Sequence, residues 1–207
     1  MSLSAAVGSW DIYVSSLFYD GGYFLLEDNF LGNLIRRGIP ELIVLSAAVI
    51  FAVWLYGKIS CRVCGGIDNR VVLLTSGTML VGPFLIVNGI FKTFWGRARP
   101  RDIDLFGGSK AFSLPLEISN QCAWDCSFMS GHTAVAFWLL APALLAPKKF
   151  RSFAVAAALL FGVTTAVFRI GQGAHFFSDV AFSALVMCLL TVSYTHLRAH
   201  ETKANLV

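Results

Sequence analysis

Long apolar runs recur along the chain, and they restrict its possible folds more than any other feature of the sequence. They cover Gly38–Gly57, Val71–Phe94, Thr133–Ala146, Phe153–Phe168 and Phe176–Tyr194. A helix needs roughly 20 such residues to cross the hydrocarbon core of a bilayer, within a range of about 17–25. The second and fifth runs meet this length, whereas the third and fourth must borrow residues from their flanks. The sequence therefore predicts five spanning helices in one all-α, polytopic membrane helix bundle.

Composition argues against the alternative, a soluble all-α bundle. Of the 207 residues, 57% are hydrophobic and 14% are charged, and the mean hydropathy is +0.70. Each helix of a soluble bundle needs a polar face towards water, and the apolar runs have almost none. We therefore expect residues 38–193 to form one membrane domain.

The two ends of the chain differ from this domain. In residues 1–37, apolar and aromatic residues are interrupted by acidic residues and by Gly21-Gly22. Such a segment is too interrupted to span, and its Trp and Tyr side chains suit the headgroup layer, so we expect it at the membrane interface. Residues 194–207 turn abruptly polar, and we interpret them as a non-native or disordered tail. A genuine basic cytoplasmic tail is the alternative.

Basic residues in the loops indicate the orientation of the bundle. Three lie between the first and second helices and three between the third and fourth: Lys58, Arg62, Arg70, Lys148, Lys149 and Arg151. Both loops fall on one side of the membrane, and an excess of Lys and Arg marks that side as cytoplasmic. The loops at 95–132 and 169–176 then lie on the outer face.

Three polar stretches meet at this outer face although they are far apart in sequence. They are Lys92-x6-Arg99-Pro100, Ser130-Gly131-His132 and Arg169-x5-His175-x3-Asp179. Their convergence on one face of the membrane is the main indication of a functional site.

The cations of these stretches suit a phosphate group. A phosphomonoester is a compact dianion, so holding and hydrolysing it requires several positioned cations. Lys92, Arg99 and Arg169 supply them, the two arginines as planar forks that match phosphate oxygens. Ser130 and Gly131 begin a helix, where free backbone N–H groups and the positive end of the helix dipole favour an anion. We predict that these five residues bind phosphate.

Two histidines indicate turnover in addition to binding. Asp179 lies four residues after His175, so the two side chains share a face if both are helical. A carboxylate on one ring nitrogen fixes the tautomer and leaves the other nitrogen free to attack phosphorus. A protonated His132 could give its proton to the leaving alcohol. Near either histidine in sequence, only Asp125 and Asp179 are carboxylates, a poor set for a two-metal cluster, so no metal is predicted.

In their order and spacing, the three stretches resemble the three-part signature of type 2 phosphatidic acid phosphatases. That superfamily also includes vanadium haloperoxidases, bacterial acid phosphatases and glucose-6-phosphatase, and the resemblance covers residues 92–179. It implies that His175 is the nucleophile that forms a phosphohistidine and that Asp179 orients it. It also implies that His132 is the general acid and then activates water. No metal or other cofactor is implied.

The chain departs from the family pattern at two motif positions. Met129 stands where the family usually has Pro, and Phe168 stands where it usually has Ser. These changes put substrate fit in question more than the reaction class, since neither replaced side chain is an acid, a base or a cation. Membrane members of the family usually have six helices, so the resemblance also implies that an N-terminal helix is missing here.

The run "FGGSKAFSLPLEISNQCAWDCSFMSGH" is similar to bacterial lipid A phosphatases of this superfamily. Undecaprenyl pyrophosphate, phosphatidylglycerol phosphate and phosphatidate remain open as substrates. The predicted function is a metal-independent phosphatase of a membrane lipid phosphate, or pyrophosphate, in a bacterial inner membrane with the active site facing the periplasm. The predicted partners are this lipid and the bilayer, without nucleic acid, and the oligomeric state is left open.

Two other function classes compete with this prediction. One is a vanadium-dependent, haloperoxidase-like enzyme, against which the spanning helices argue. The other is a non-catalytic phospholipid-binding membrane protein, for which the two motif histidines would be superfluous.

The sequence leaves open the chemical state of four cysteines and the role of two arginines. In an oxidising compartment Cys122 and Cys126 could close a small disulfide. Cys61 and Cys64 form a C-x2-C without a second pair, which favours reduced thiols over zinc.

Arg97 and Arg101 lie beside the first motif arginine. They could anchor lipid headgroups at the membrane surface or make the first contact with an anionic substrate.

Overall fold

The computed structural model describes the backbone of residues 3–60 and 66–204 and the side chains of residues 6–60 and 66–195. The C-x2-C pair of Cys61 and Cys64 lies outside the described residues, as do the side chains beyond Thr195.

Within this part of the chain, seven helices and one β-hairpin follow one another. They are α1 Leu3–Ser16, β1 Tyr19–Asp20, β2 Tyr23–Phe24, α2 Phe30–Arg37, α3 Ile39–Ile59, α4 Asn69–Phe94, α5 Gly131–Leu145, α6 Lys148–Gly171 and α7 Phe177–Ala204. The two strands are antiparallel, with Tyr19 opposite Phe24. Between α4 and α5 lie two short 3-10 turns, Pro100–Asp102 and Asp104–Phe106. The backbone of α7 includes most of the segment that we interpreted as a tail.

Four stretches are long and apolar enough to cross a membrane. They are Phe30–Ile59, Asn69–Phe94, Lys148–Gly171 and Phe177–Thr195. The third of the five predicted runs, Thr133–Ala146, corresponds to α5, a shorter apolar helix over Gly131–Leu145. At about 1.5 Å per residue it covers roughly 22 Å, less than the hydrocarbon thickness of about 30 Å. The prediction of an all-α membrane helix bundle is confirmed, with α5 as a shorter helix in place of a fifth full-length span.

The direction of the helices brings the three motifs to one end of the bundle. Chain direction reverses at each connection, so α4 and α6 finish at the end where α5 and α7 begin. The first motif follows α4, the second opens α5, and the third connects α6 to α7. Helix order alone thus accounts for the predicted convergence.

Helix α4 is irregular along most of its length. It is π-helical over Leu73–Gly77 and over Leu80–Phe91, and Pro83 lies inside the second segment. Side chains satisfy backbone groups that the irregularity releases. Asn88 Nδ2 donates to the carbonyl of Pro83 at 2.7 Å, and Trp138 Nε1 of α5 donates to the carbonyl of Thr75 at 2.9 Å. Such bonds make an irregular helix tolerable in a membrane.

The core surrounds α5, which packs against α3, α4, α6 and α7. Trp138 is among its largest buried side chains, and nearly every residue from Gly131 to Trp138 is buried. Gly162 of α6 permits a close approach, since a Cβ there would lie 2.7 Å from Phe137. Small residues allow such contacts between membrane helices. The second motif therefore opens the most enclosed helix of the bundle.

The N-terminal segment packs against the loops that carry the first and third motifs. A small cluster of buried apolar residues joins them: Phe24, Ala98, Ile103, Phe106 and Phe176. Gly173 in the third motif adopts a left-handed φ of +60°, and a Cβ there would lie 2.4 Å from Phe24. The close approach and the backbone conformation both require glycine at this position. The expected interfacial segment thus forms part of the wall of the site.

Candidate active site

Backbone hydrogen bonds hold the three motif stretches together. Ser127 N–H donates to the Arg97 carbonyl at 2.9 Å, and Arg101 N–H donates to the Gly173 carbonyl at 3.0 Å. Ser130 N–H, before α5, is 3.4 Å from the carbonyl of Asp179 on α7. Backbone contacts therefore link the first motif to the second and third, and the second to the third.

Lys92 and Arg99 share a carboxylate that the phosphate prediction did not include. Asp125 forms ion pairs with Lys92 Nζ and with Arg99 Nη2. Its backbone carbonyl also accepts a hydrogen bond from Arg99 Nη2 at 2.9 Å. Burial raises the pKa of Asp125, but the hydrogen bond and charge of Lys92 and the charge of Arg99 outweigh this effect and leave the pKa below its usual value. The Asp125 carboxylate thus neutralises Lys92 and Arg99, two of the residues predicted to bind phosphate.

Asp125 is presented by a short disulfide loop. Cys122 and Cys126 are joined by a disulfide with a Cα–Cα distance of 5.6 Å, as the sequence allowed. Asp125 lies inside this loop with a φ of 50°, a conformation that Asp tolerates better than most residues. The Asp125 side chain remains about half exposed, at 54%, so an incoming anion has room to displace it.

Arg169 lies deep in the site. It is 3% exposed, and its Nη1 donates to Gln172 Oε1 at 2.6 Å. The Arg169 Nε and Gln172 Nε2 donors are buried and have no partner among the described residues. Buried donors are usually paired, so this guanidinium is available to an anionic ligand.

Ser130 and Gly131 form the predicted helix N-terminus. Ser130 is the N-cap of α5, and its Oγ accepts from Thr133 N at 3.4 Å and from Thr133 Oγ1 at 2.9 Å. Gly131 lies against α4, where a Cβ would meet Asn88 Oδ1 at 3.0 Å. The side chain of Ser130 is thus committed to capping, and the backbone N–H groups remain as the part that suits an anion.

His175 is completely buried, with its two ring nitrogens in different environments. Nδ1 lies 2.7 Å from the carbonyl oxygen of Ser127, while Nε2 has no partner among the described residues. Burial, reinforced by the charges of Arg169, Arg99 and Lys92, holds the pKa of His175 well below its usual value. The ring is therefore neutral near pH 7. With its proton on Nδ1 and donated to Ser127, it presents a free electron pair at Nε2.

Asp179 is near His175 but does not form the direct hydrogen bond that the i, i+4 spacing suggested. The distance from Asp179 Oδ2 to His175 Nδ1 is 3.8 Å, beyond hydrogen-bond range. His175 precedes α7, which begins at Phe177, so the two residues are not on one continuous helical turn. Asp179 Oδ2 instead accepts from Phe176 N at 2.8 Å and from Ser127 Oγ. Its link to His175 therefore runs through Ser127.

His132 is half-buried at the start of α5. Its Nε2 lies 3.1 Å from the backbone carbonyl of Arg36 in the N-terminal segment. Burial, with the charges of Arg169 and Lys92, lowers the pKa of His132 to about 4. Without an anion in the site, His132 is therefore neutral near pH 7. A bound dianion would oppose the two positive charges and raise this pKa.

Sequence reasoning missed the buried network behind these residues. Arg97, interpreted as a headgroup anchor or a first substrate contact, is fully buried and forms ion pairs with Asp11 at 2.8 Å and Asp179 at 2.6 Å. Its guanidinium also lies 4.2 Å from the Phe176 ring centre. Asp11 of α1 binds both the N–H and the hydroxyl of Ser178, at 2.7 and 2.6 Å. An acidic residue inside an apolar N-terminal stretch was the only available sequence signal.

An apolar groove leads along the membrane face of the bundle to the site. It has a volume of about 510 Å³ and runs between α3 and α4, past Val44, Ala48 and Phe84. It ends at Lys92, Gly131 and His132. A polar site thus opens directly onto an apolar surface. Among the described residues, no group of three or more His, Cys, Asp or Glu side chains is placed to hold a metal ion.

The chain is similar to known proteins over most of its length. The sequence model of the PAP2 superfamily matches residues 71–203. A lipid A 4'-phosphatase of Francisella tularensis subsp. novicida (strain U112) is 33% identical over 189 residues, which cover 87% of this chain and 82% of the relative. A lipid A 4'-phosphatase of Rhizobium leguminosarum is 31% identical over 214 residues, which cover 95% of this chain and 91% of the relative. No solved structure gives a significant match.

Proposed function

The chain belongs to the PAP2 superfamily, and from this premise we propose that it hydrolyses a phosphate monoester on a membrane lipid through a phosphohistidine at His175. The predicted enzyme class, a phosphoric monoester hydrolase, is confirmed by its relatives. The observation that carries the mechanism is the state of His175, which is neutral and has Nδ1 hydrogen-bonded and Nε2 free. A binding site for phosphate alone has no need of such a nucleophile.

Substrate binding prepares both histidines for the first step. The phosphate displaces the Asp125 carboxylate and takes its place on Lys92 and Arg99, while Arg169 and the first N–H groups of α5 bind the remaining oxygens. Its negative charge raises the pKa of His132, which then holds a proton for the leaving group. In this proposal the cations of the protein stabilise the charge of the transition state without a metal.

The reaction proceeds in two displacements at phosphorus. His175 Nε2 attacks, the bond from phosphorus to the ester oxygen breaks, and His132 protonates the departing alcohol. His132, now neutral, accepts a proton from water, and the resulting hydroxide attacks the phosphohistidine. The P–N bond breaks, its electron pair returns to Nε2, and inorganic phosphate leaves. Asp179 contributes by positioning Ser127, whose carbonyl stabilises the positive charge on the His175 ring.

The groove between α3 and α4 supports a lipid as the substrate. A hydrocarbon chain in this groove would keep contact with the membrane while the headgroup phosphate reaches Lys92 and His132. Among the candidate lipids we favour lipid A, because the relatives that cover most of the chain are lipid A 4'-phosphatases. We further propose that the site faces the periplasm of a bacterial inner membrane, since the basic loops are at the opposite end of the bundle.

The proposal can be tested with detergent-purified protein and four substrates: lipid A, phosphatidate, phosphatidylglycerol phosphate and a prenyl pyrophosphate. We expect phosphate release from lipid A to exceed release from the others, to continue in EDTA and to be inhibited by vanadate, whose trigonal bipyramidal form resembles the transition state. Wild-type protein should retain acid-labile, base-stable phosphate that His175→Ala lacks. Activity that is lost in EDTA and restored by Mg²⁺ would contradict the metal-free mechanism. Bromide oxidation after vanadate loading would favour the haloperoxidase alternative.

A further inference from the structure

A second cationic pocket lies beside the catalytic residues, on the side of the N-terminal segment. It has a volume of about 250 Å³, and we call it the arginine pocket after the side chains that dominate its wall: Arg36, Arg37, Arg101 and Arg169. Gln172 also lines it. Arg169 is also one of the residues predicted to bind the phosphate that is hydrolysed, so the two sites are adjacent.

Three separate elements bring these arginines together. Arg36 and Arg37 form the last turn of α2, and Arg169 is in the last turn of α6. Arg101 lies in the 3-10 turn after the first motif, where its N–H donates to the Gly173 carbonyl at 3.0 Å. The N-terminal segment is held to the end of α6, because Leu26 N–H donates to the carbonyl of Gly171, the last residue of that helix, at 3.1 Å. The cluster is therefore a product of the tertiary fold.

The positive charge of the pocket is only partly neutralised: Arg101 Nε lies 4.0 Å from Asp102 Oδ1, an ion pair with partly exposed side chains. Two carboxylates, Glu27 and Asp28, also line the wall against the four arginines. Among the described side chains, neither carboxylate lies within 4.0 Å of a nitrogen of these arginines. Four arginines against two carboxylates leave an excess of positive charge, and the arginines repel one another unless an anion joins them. The pocket thus has a net positive charge and suits a group with several oxyanion oxygens.

The buried donors of Arg169 and Gln172 point to the same ligand chemistry. Both side chains are 3% exposed, and Arg169 Nε and Gln172 Nε2 have no acceptor among the described residues. Arg169 Nη1 is occupied by Gln172 Oε1. An oxyanion in the arginine pocket would supply the missing acceptors, whereas an apolar or cationic group would leave them unpaired.

We infer that the arginine pocket binds a second phosphate group of the same lipid headgroup whose first phosphate is hydrolysed at His175. This inference rests on the proposed function and adds a requirement to it, namely that the preferred substrate carries two phosphates. Arg169 lies at the boundary of the two sites and relates their positions. The groove between α3 and α4 then holds the hydrocarbon, and the two phosphates lie at its polar end.

The test compares two lipids with identical acyl chains and sugar, one with two phosphates and one with only the phosphate that is hydrolysed. We expect wild-type protein to have a KM about tenfold or more lower for the diphosphorylated lipid. In Arg36→Gln/Arg101→Gln, the KM for this lipid should rise by about 10–100-fold, since each lost charge-assisted contact costs about tenfold. The kcat, and all constants for the monophosphorylated lipid, should stay within about twofold. Arg70→Gln, at the opposite end of the bundle, is the matched control.

Each contrary outcome has a separate meaning. If neither lipid is hydrolysed by wild-type protein, the proposed function fails. If both are hydrolysed with equal constants, the function stands and the second subsite is refuted. Equal losses on both lipids in the double variant would place these arginines in the general field of the catalytic site, against the inference.

A third arm identifies the source of the second phosphate. Inorganic phosphate, added with the monophosphorylated lipid, should only inhibit. Activation by it would show that the pocket takes a free anion instead of the headgroup. If the double variant is too unstable to purify, Arg37→Gln alone should still raise the KM for the diphosphorylated lipid selectively, and no change there would overturn the inference.

Discussion

Arg97 and Asp179 form a fully buried ion pair, with Arg97 Nη1 2.6 Å from Asp179 Oδ1. The pair connects Asp11 of α1 to the motif loop of α7, because Arg97 Nη2 is 2.8 Å from Asp11 Oδ2. Asp179 continues the connection through the Ser127 hydroxyl, and the Ser127 carbonyl contacts His175. Ordering of the N-terminal helix is thereby coupled to the orientation of the proposed nucleophile.

The first prediction tests this coupling at a residue that does not contact the phosphate. Asp11→Asn should lower kcat by about tenfold, which corresponds to about 1.4 kcal/mol, because Arg97 loses a charged partner and holds Asp179 less firmly. The free energy of unfolding should also fall, by about 1–3 kcal/mol. The dissociation constant for vanadate should change little. Asp20→Asn in the exposed hairpin is the control. A weaker affinity for vanadate with an unchanged kcat would contradict a positioning role.

The second prediction separates the roles of the two histidines. An alkoxide needs a proton to leave, so His132→Ala should lose roughly 10²–10⁴ in rate on an alkyl lipid phosphate. Nitrophenolate leaves readily as an anion, so the same variant should lose far less in the phosphorylation step with nitrophenyl phosphate. His175→Ala should be inactive on both substrates. Single-turnover rates are the appropriate measurement, because His132 also serves the hydrolysis step. Equal losses for His132→Ala on both substrates would refute its assignment as the acid.

The third prediction concerns the carboxylate that competes with phosphate. Asp125→Asn removes the charge that neutralises Lys92 and Arg99 while keeping the size of the side chain. The affinity for inorganic phosphate and for vanadate should therefore increase, by about three- to tenfold, equivalent to about 0.7–1.4 kcal/mol. The exposed Glu117 in the same loop allows Glu117→Gln as a control with the same change of net charge. The measurement is the inhibition constant of phosphate and of vanadate for the wild type, Asp125→Asn and Glu117→Gln. A lower affinity in Asp125→Asn would mean that Asp125 supports the site instead of occupying it.

The fourth prediction is a loss of stability in acid. His132 and His175 have pKa values that are lowered in the folded protein, to about 4 in the case of His132. As the pH falls below about 6.5, the unfolded chain binds protons that the folded chain does not, so the free energy of unfolding decreases. The contribution of His132 is at most about 3 kcal/mol between about pH 6.5 and pH 4.

Unfolding in detergent at about pH 7.5 and about pH 5 measures this effect. In His132→Asn, which retains a hydrogen-bond donor, the difference between the two pH values should be smaller than in the wild type. Vanadate should reduce the wild-type difference as well, because a bound anion raises the pKa of His132. A wild-type protein that becomes more stable on acidification would exclude the predicted linkage.

The fifth prediction concerns the side of the membrane on which the site lies. A cysteine at the exposed position of Ser109, near the first motif, should react with a membrane-impermeant maleimide in intact spheroplasts. A cysteine at Lys149, in the basic first turn of α6, should react only after lysis. Both are introduced into a background in which Cys61, Cys64 and Cys188 are replaced by serine. The opposite labelling pattern would place the site on the cytoplasmic side.

The sequence by itself was sufficient for the membrane helices and for the end of the bundle at which the three motif stretches lie. Apolar runs of spanning length need no partner to be recognised, because the bilayer imposes the length and the apolar character of each helix. The end of the bundle at which the motifs meet follows from helix order. The motif spacing likewise selected Lys92, Arg99, Arg169 and the two histidines as candidates, and their roles stay predictions. The sequence also indicated that the third run was short, and α5 is a shorter apolar helix than the other four candidate spans.

Only the tertiary structure decided which groups these residues contact. The burial of Arg97, its pairing with Asp11 across 86 positions, and the location of Asp125 between two cations depend on contacts between distant segments. The partner of His175 was likewise set by the start of α7 at Phe177, which moves Asp179 away from the ring and leaves the Ser127 carbonyl in contact with it. Residue spacing defines which side chains are neighbours within one helix. Contacts between loops and packed helices depend instead on three-dimensional fit and on the cost of burying a charge without a partner.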